Sequence, residues 1–111
     1  MVQADLFEKA FPMNIAARRR DLFTDSFVEW LENNLNVFAE FAEQALYVRR
    51  TMHRDHYSIR TIGEWIRHNS EIRERGNGYK INNNAFAPMS RLLMLAYPEL
   101  AGMFETRERI M

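Results

Sequence analysis

From Phe27 onward the apolar residues recur at helical spacing: Phe27, Leu31, Leu35, Phe38, Ala42 and Ala45. Steps of three and four residues place them on one face of an α-helix. Trp30, Val37 and Phe41 widen that face, and Glu29, Glu32, Asn33, Asn36, Glu40 and Glu43 occupy the other side. Ser26 and Glu29 have capping-box spacing, in which hydroxyl and carboxylate satisfy free backbone donors at the helix start. No Gly or Pro interrupts the chain before Gly63, so the pattern predicts one long helix over residues 26–52. At 1.5 Å per residue such a helix is roughly 37 Å long.

A second helix is expected from Ser58, a good N-cap, with Ile59, Ile62, Trp65 and Ile66 facing inward and Ile72 near its end. Gly76-Asn77-Gly78 breaks it, and Tyr79-Lys80-Ile81 alternates like a strand but supports at most a short β-ribbon. After Asn82-Asn83-Asn84 a third helix carries Met89, Leu92, Leu93 and Ala96, with Pro88 in its first turn and Pro98 as its stop. Upstream, Ala4 to Phe11 reads as a short helix ended by Pro12. The expected fold is therefore mainly α: a long N-terminal helix packed on a three-helix, winged-helix-like core. Residues 1–111 read as a single domain, with an N-terminal segment at 1–25 and the helix-turn-helix-like core at 58–107.

Composition narrows the class. The 111 residues include 14 aromatics and are 47% hydrophobic, which argues against a disordered chain. The absence of cysteine excludes disulfides and thiolate metal sites and fits a reducing compartment. No apolar run approaches the roughly 18 residues of a membrane span, and residues 1–8 lack the apolar stretch of a signal peptide. A soluble cytoplasmic protein with no membrane partner is expected.

Zero net charge conceals an asymmetry. Residues 1–47 hold eight acidic side chains against Lys9, Arg18, Arg19 and Arg20. Residues 48–98 hold Arg49, Arg50, Arg54, Arg60, Arg67, Arg73, Arg75, Lys80 and Arg91 against Asp55, Glu64, Glu71 and Glu74. Arginine's planar fork suits phosphates and base edges. If the halves fold together, they also neutralise each other.

Candidate chemistry is sparse. There is no cysteine nucleophile, glycine-rich phosphate loop or glycine-flanked serine elbow, so no enzyme and no cofactor is expected. His53-x-x-His56 with Asp55 offers two or three zinc ligands, but a further donor must come from His68 or scattered carboxylates, and no metal site is predicted. The densest polar cluster runs from Arg49 to Arg60, where Arg49, Arg50, Arg54, Ser58 and Arg60 beside a helix N-terminus suit phosphates. Arg49 and Arg50 equally suit the negative end of the long helix. Arg60, Glu64, Arg67, Glu71 and Arg75 form an alternating-sign ladder typical of a solvated face, and Arg67, His68, Arg73 and Arg75 leave a basic end. Asn82 and Asn83 have the amides that can read adenine, and they are also good turn and cap residues.

The run HYSIRTIGEWIRHNSEIRERGNGYKINNNAFAPMSRLLMLAYPELAGMFETR resembles a family of small phage and prophage proteins, some described as helix-turn-helix or winged-helix DNA-binding proteins. The resemblance rests on Tyr57-Ser58-x-Arg60, Ile62, Ile66-Arg67, Tyr79-Lys80-Ile81-Asn82-Asn83, Pro88, Arg91, Met94, Pro98-Glu99-Leu100, Phe104-Glu105 and Arg107. It spans roughly residues 38–107. It implies a helix–turn–helix core with a short wing and a partner in phage or host DNA, in the host cytoplasm.

Together these readings predict a non-enzymatic protein that binds double-stranded DNA. Arg49, Arg50, Arg54 and Arg60 would hold phosphates, Lys80, Asn82, Asn83 and Arg91 would approach a groove, and Ser58 and Arg67 complete the expected DNA-binding set. The alternative is a protein-interaction module, a host-protein inhibitor or a homodimer subunit. It would use the aromatic stripe Phe23, Phe27, Trp30, Val37, Phe38 and Phe41 as its contact face.

Overall fold

The computed structural model describes residues 11–73, 76 and 78–104. Helix α1 covers residues 11–18 of these, followed by α2 (Asp25–Asn33), α3 (Leu35–Arg50), α4 (Ile59–Arg73) and α5 (Phe86–Ala96). Single 3₁₀ turns, Asn83–Ala85 and Pro98–Leu100, flank α5. Among the described residues there is no strand, and Tyr79-Lys80-Ile81 is irregular. The chain is mainly helical, as its periodicity predicts.

The long helix is two helices. Asn34 leaves the helical region (φ −137°, ψ 38°), and its backbone N–H turns back to the Leu31 carbonyl. The adjacent asparagines explain the break, because short amide side chains compete for backbone groups. Asn33 Nδ2 donates to the Glu29 carbonyl at 2.9 Å, and Asn34 Nδ2 donates to the Trp30 carbonyl at 2.7 Å. Asn34's own carbonyl then accepts from Val37 and Phe38, so one residue ends α2 and opens α3. The start also differs from the expected capping box. Thr24 is the N-cap of α2, its Oγ1 accepting from the Phe27 N–H at 3.2 Å, and Ser26 bonds that hydroxyl.

The apolar stripe survives the break. Phe23, Phe27, Leu31, Val37, Phe38, Phe41, Ala42 and Ala45 are buried in one cluster with Ile62, Ile66, Met89, Leu92, Leu93, Leu100 and Met103. The aromatic stripe proposed as a partner-binding surplus is therefore core, with Trp30 alone left half-buried. Helices α4 and α5 and the Pro98–Leu100 turn supply the covering surface.

Two downstream expectations hold at the helix starts. Ser58 Oγ accepts from the Thr61 N–H at the start of α4, and Pro88 lies in the first turn of α5. The connection after α4 hugs the helix. A side chain at Gly78 would place its Cβ 2.7 Å from the Glu71 backbone nitrogen, so only glycine fits there. Tyr79 N–H then donates to the buried Ser70 hydroxyl at 2.9 Å, and that hydroxyl donates to the Arg67 carbonyl. At the N-terminus, Pro12 is buried inside the helical run 11–18 rather than ending a helix. Proline's fixed φ is helical, and only its donor is lost. Residues 4–10 of the helix expected there, together with Arg75, Asn77, Glu105 and Arg107, lie outside the described residues.

Gly63 of α4 lies directly against Phe86 of α5. A Cβ at position 63 would lie 2.7 Å from Phe86 Cζ and closer still to Cε1. The ring cannot easily retreat, because Phe41 packs at 6.4 Å and the Arg67 guanidinium lies 4.9 Å over it. Gly63→Ala should therefore destabilise the fold by about 1–3 kcal/mol, the usual cost of overpacking. Chemical denaturation would measure it. In a Phe86→Leu background the same change should cost clearly less; an equal cost in both backgrounds would contradict the contact.

Candidate interaction surfaces

The basic residues singled out above sort into two groups by what they touch. At the C-terminal end of α3, Arg49 Nε donates to the Glu99 carbonyl at 3.1 Å and its Nη1 to Asp55 at 2.6 Å. Arg50 grips both Glu99 carboxylate oxygens, one through Nε at 2.9 Å. These two arginines tie the end of α3 to the Pro98–Leu100 turn, and two acids sit among them. In the middle of α4, Arg67 donates to the Ile81 carbonyl and to Asn83 Oδ1 (2.8 Å) while stacking on Phe86. Asn82 Oδ1 caps the following 3₁₀ turn through the Asn84 N–H at 2.8 Å. Arg67, Asn82 and Asn83 thus build the connection into α5. Ser58 caps α4.

Arg54, Arg60 and Lys80 are exposed and Arg91 is half-buried, and none has an acidic partner among the described residues. Arg54 lies 5.8 Å over the Tyr57 ring. An open hollow of about 700 Å³ lies beside the α4 N-terminus, lined by His56, Tyr57, Ser58, Ile59, Gly102 and Met103. Further along α4, Arg73 binds both Glu40 oxygens (3.3 and 3.1 Å) and the Tyr79 hydroxyl (3.1 Å). The Glu40 carboxylate, accepting a hydrogen bond from Tyr79, pushes that phenol's pKa up. Among the described residues no three His, Asp or Glu side chains cluster as metal ligands, and His53 and His56 gain no third donor.

A surface absent from the sequence reading lies between α3 and α4. A groove of about 500 Å³ is lined by Glu43, Gln44, Tyr47, Val48, Met52, Tyr57, Thr61, Ile62 and Trp65. Val48 and Ile62 are buried, whereas Tyr47 is 53%, Met52 43% and Trp65 46% exposed. Trp65 had been expected to face inward. Its place is set by α4 geometry: Ile62, Ile66 and Ser70 take the buried stripe, and Trp65 falls at its edge. Met52 lies at the rim where the chain leaves α3; the next residue, His53, is left-handed (φ 55°), and the Arg54 N–H returns to the Val48 carbonyl.

The Arg50 pair holds the Glu99 carboxyl below its ordinary 4.5, the hydrogen bond contributing most. A lowered folded pKa gives stability that is complete above about 4.5 and fades as the pH falls through the lower folded value. Glu99→Gln should therefore flatten the acid limb of a stability-against-pH curve and leave the neutral-to-alkaline limb parallel to wild type. An unchanged acid limb would show that the pair does not couple to folding.

No family model, curated protein or solved structure matches the chain.

Proposed function

We propose that the chain is a non-enzymatic binding module that docks a segment of another protein in the α3–α4 groove. One observation carries this reading: Tyr47, Met52 and Trp65 stand exposed together around a single groove, while the aromatic stripe of α2 and α3 is buried. Large apolar side chains gathered at one surface site mark partner contacts more often than scattered ones do, and Trp and Tyr are the usual anchors of such contacts. The cysteine-free sequence suits a cytoplasmic setting for such a module.

A second reading, a DNA-binding regulator, is favoured by the exposed Arg54, Arg60 and Lys80, which have no acidic partner among the described residues. It would use a winged-helix-like arrangement of α4, the connection and α5, as the resemblance to phage proteins implies, and a homodimer would suit twofold DNA sites. Arg49, Arg50 and Arg67 support it less, since each already holds acceptors of this chain.

Capture from an extract of the source cell, run with three forms of the chain, separates the two. A protein partner should be retained by wild type and by Arg54→Glu/Arg60→Glu, and weakened by about 2 kcal/mol or more in Tyr47→Ala/Trp65→Ala. Titration of a mixed-sequence duplex at several salt concentrations is the counterpart. Micromolar affinity with a log–log salt slope near about −4 or −5, lost on the charge reversals, would put the DNA reading first.

A further inference from the structure

The α4 wall of the groove continues as an exposed stripe along the helix. Thr61 and Trp65 line the groove, and Ile72, two turns beyond Trp65, is 65% exposed, more than any other large apolar side chain among the described residues. At 100° per residue these three fall within about 40° of one another, so Ile72 extends the apolar surface that Trp65 begins. The flank of the stripe carries both signs. Arg60, Glu64 and Glu71 share that side of α4, all exposed, and none has an opposite charge within ion-pair reach among the described residues. Arg67, which continues the alternating ladder, is turned to the connection instead.

A flank of mixed sign selects neither a basic nor an acidic partner, but it matches itself. Its cation, Arg60, lies in the first turn of α4 and Glu71 lies in the last. Turned end for end, one α4 presents Glu71 to the Arg60 of another, and twofold symmetry forms that pair twice. In the same register the two Trp65 side chains meet beside the axis, and each Ile72 lies over the first turn of the other α4. A parallel arrangement would instead set like charges together, and a nucleic-acid strand along the stripe would bring phosphates to Glu64 and Glu71.

We infer that two copies of the chain pair their α4 helices antiparallel through Trp65 and Ile72, with Arg60 of each opposite Glu71 of the other. The inference rests on the protein-docking reading and names the docked protein as a second copy. One face of a 15-residue helix, about 22 Å long, covers less than the roughly 800 Å² per partner of a standard interface, so the dimer is weak and concentration-dependent.

Sedimentation equilibrium of the full chain at low ionic strength, from micromolar to millimolar concentration, tests it. Wild type should pass from monomer to dimer, and Trp65→Ala/Ile72→Ala should weaken the dimer at least tenfold. Arg60→Glu and Glu71→Arg should each weaken it about as much when studied alone, since each sets like charges opposite one another twice. An equimolar mixture of those two variants should restore the dimer, because both pairs then have opposite signs. All four substitutions are at exposed positions, circular dichroism checks that each variant folds, and recovery on mixing cannot come from a folding defect. A chain that stays monomeric at millimolar concentration overturns the inference. If that monomer still captures a protein through Tyr47 and Trp65, the docking reading stands and only the second copy falls; if it captures none, both fall. A dimer indifferent to Trp65 and Ile72 places the interface elsewhere and overturns the inference, and one that needs them but ignores charge reversal and mixing overturns the antiparallel pairing.

Discussion

The packing of Phe86 against Gly63 is the constraint on which the remaining arrangement depends. Phe86 begins α5, yet its ring touches α4 at Gly63, α3 at Phe41 and the guanidinium of Arg67. Three helices meet at that ring. Because Gly63 has no side chain, the Phe86 ring can lie against α4, and Met89, Leu92 and Leu93 are buried in the same cluster as the apolar face of α3. Burying a phenylalanine is worth roughly 1.5–3 kcal/mol, a large share of the stability of so small a domain.

Around that contact the arginines act mainly as staples. Arg67 fixes the connection to α5, Arg73 joins α4 to α3 through Glu40, and Arg49 and Arg50 join α3 to the Pro98–Leu100 turn. Exposed ion pairs contribute little individually, about 0–1 kcal/mol. Their effect is positional: they set how irregular segments lie on the helices. The acidic first half and basic second half thus partly neutralise each other in the fold, in the Arg73–Glu40 pair above all. Among the described residues, Arg18, Arg54, Arg60, Lys80 and Arg91 are left without an acidic partner.

Much of the fold was legible because burial follows periodicity. The stripe from Phe27 to Ala45, the Ser58 cap and the Pro88 position follow from spacing and cap chemistry alone. The break at Asn34 was not, since it depends on two amides outcompeting backbone bonds within an otherwise continuous stripe. The aromatic stripe of α2 and α3 was legible as apolar but not as covered, because coverage depends on where α5 and the Pro98–Leu100 turn land. The groove was hidden because Trp65 is a large apolar residue beside inward ones on α4, and spacing alone does not show that Ile62, Ile66 and Ser70 take the buried stripe and leave it at the edge. Nor does spacing show which arginines are already held by acceptors of this chain.

The account places binding on the α3–α4 groove and assigns Arg49, Arg50, Arg67 and Arg73 to the fold. Amide hydrogen exchange of the chain, alone and with a protein partner recovered from cell extract, tests that most directly. Added protection over residues 43–48 and 61–65, with residues 80–83 and Arg91 unchanged, is the predicted result. Protection concentrated at Lys80 to Asn83 and Arg91, or none in the groove, would contradict it.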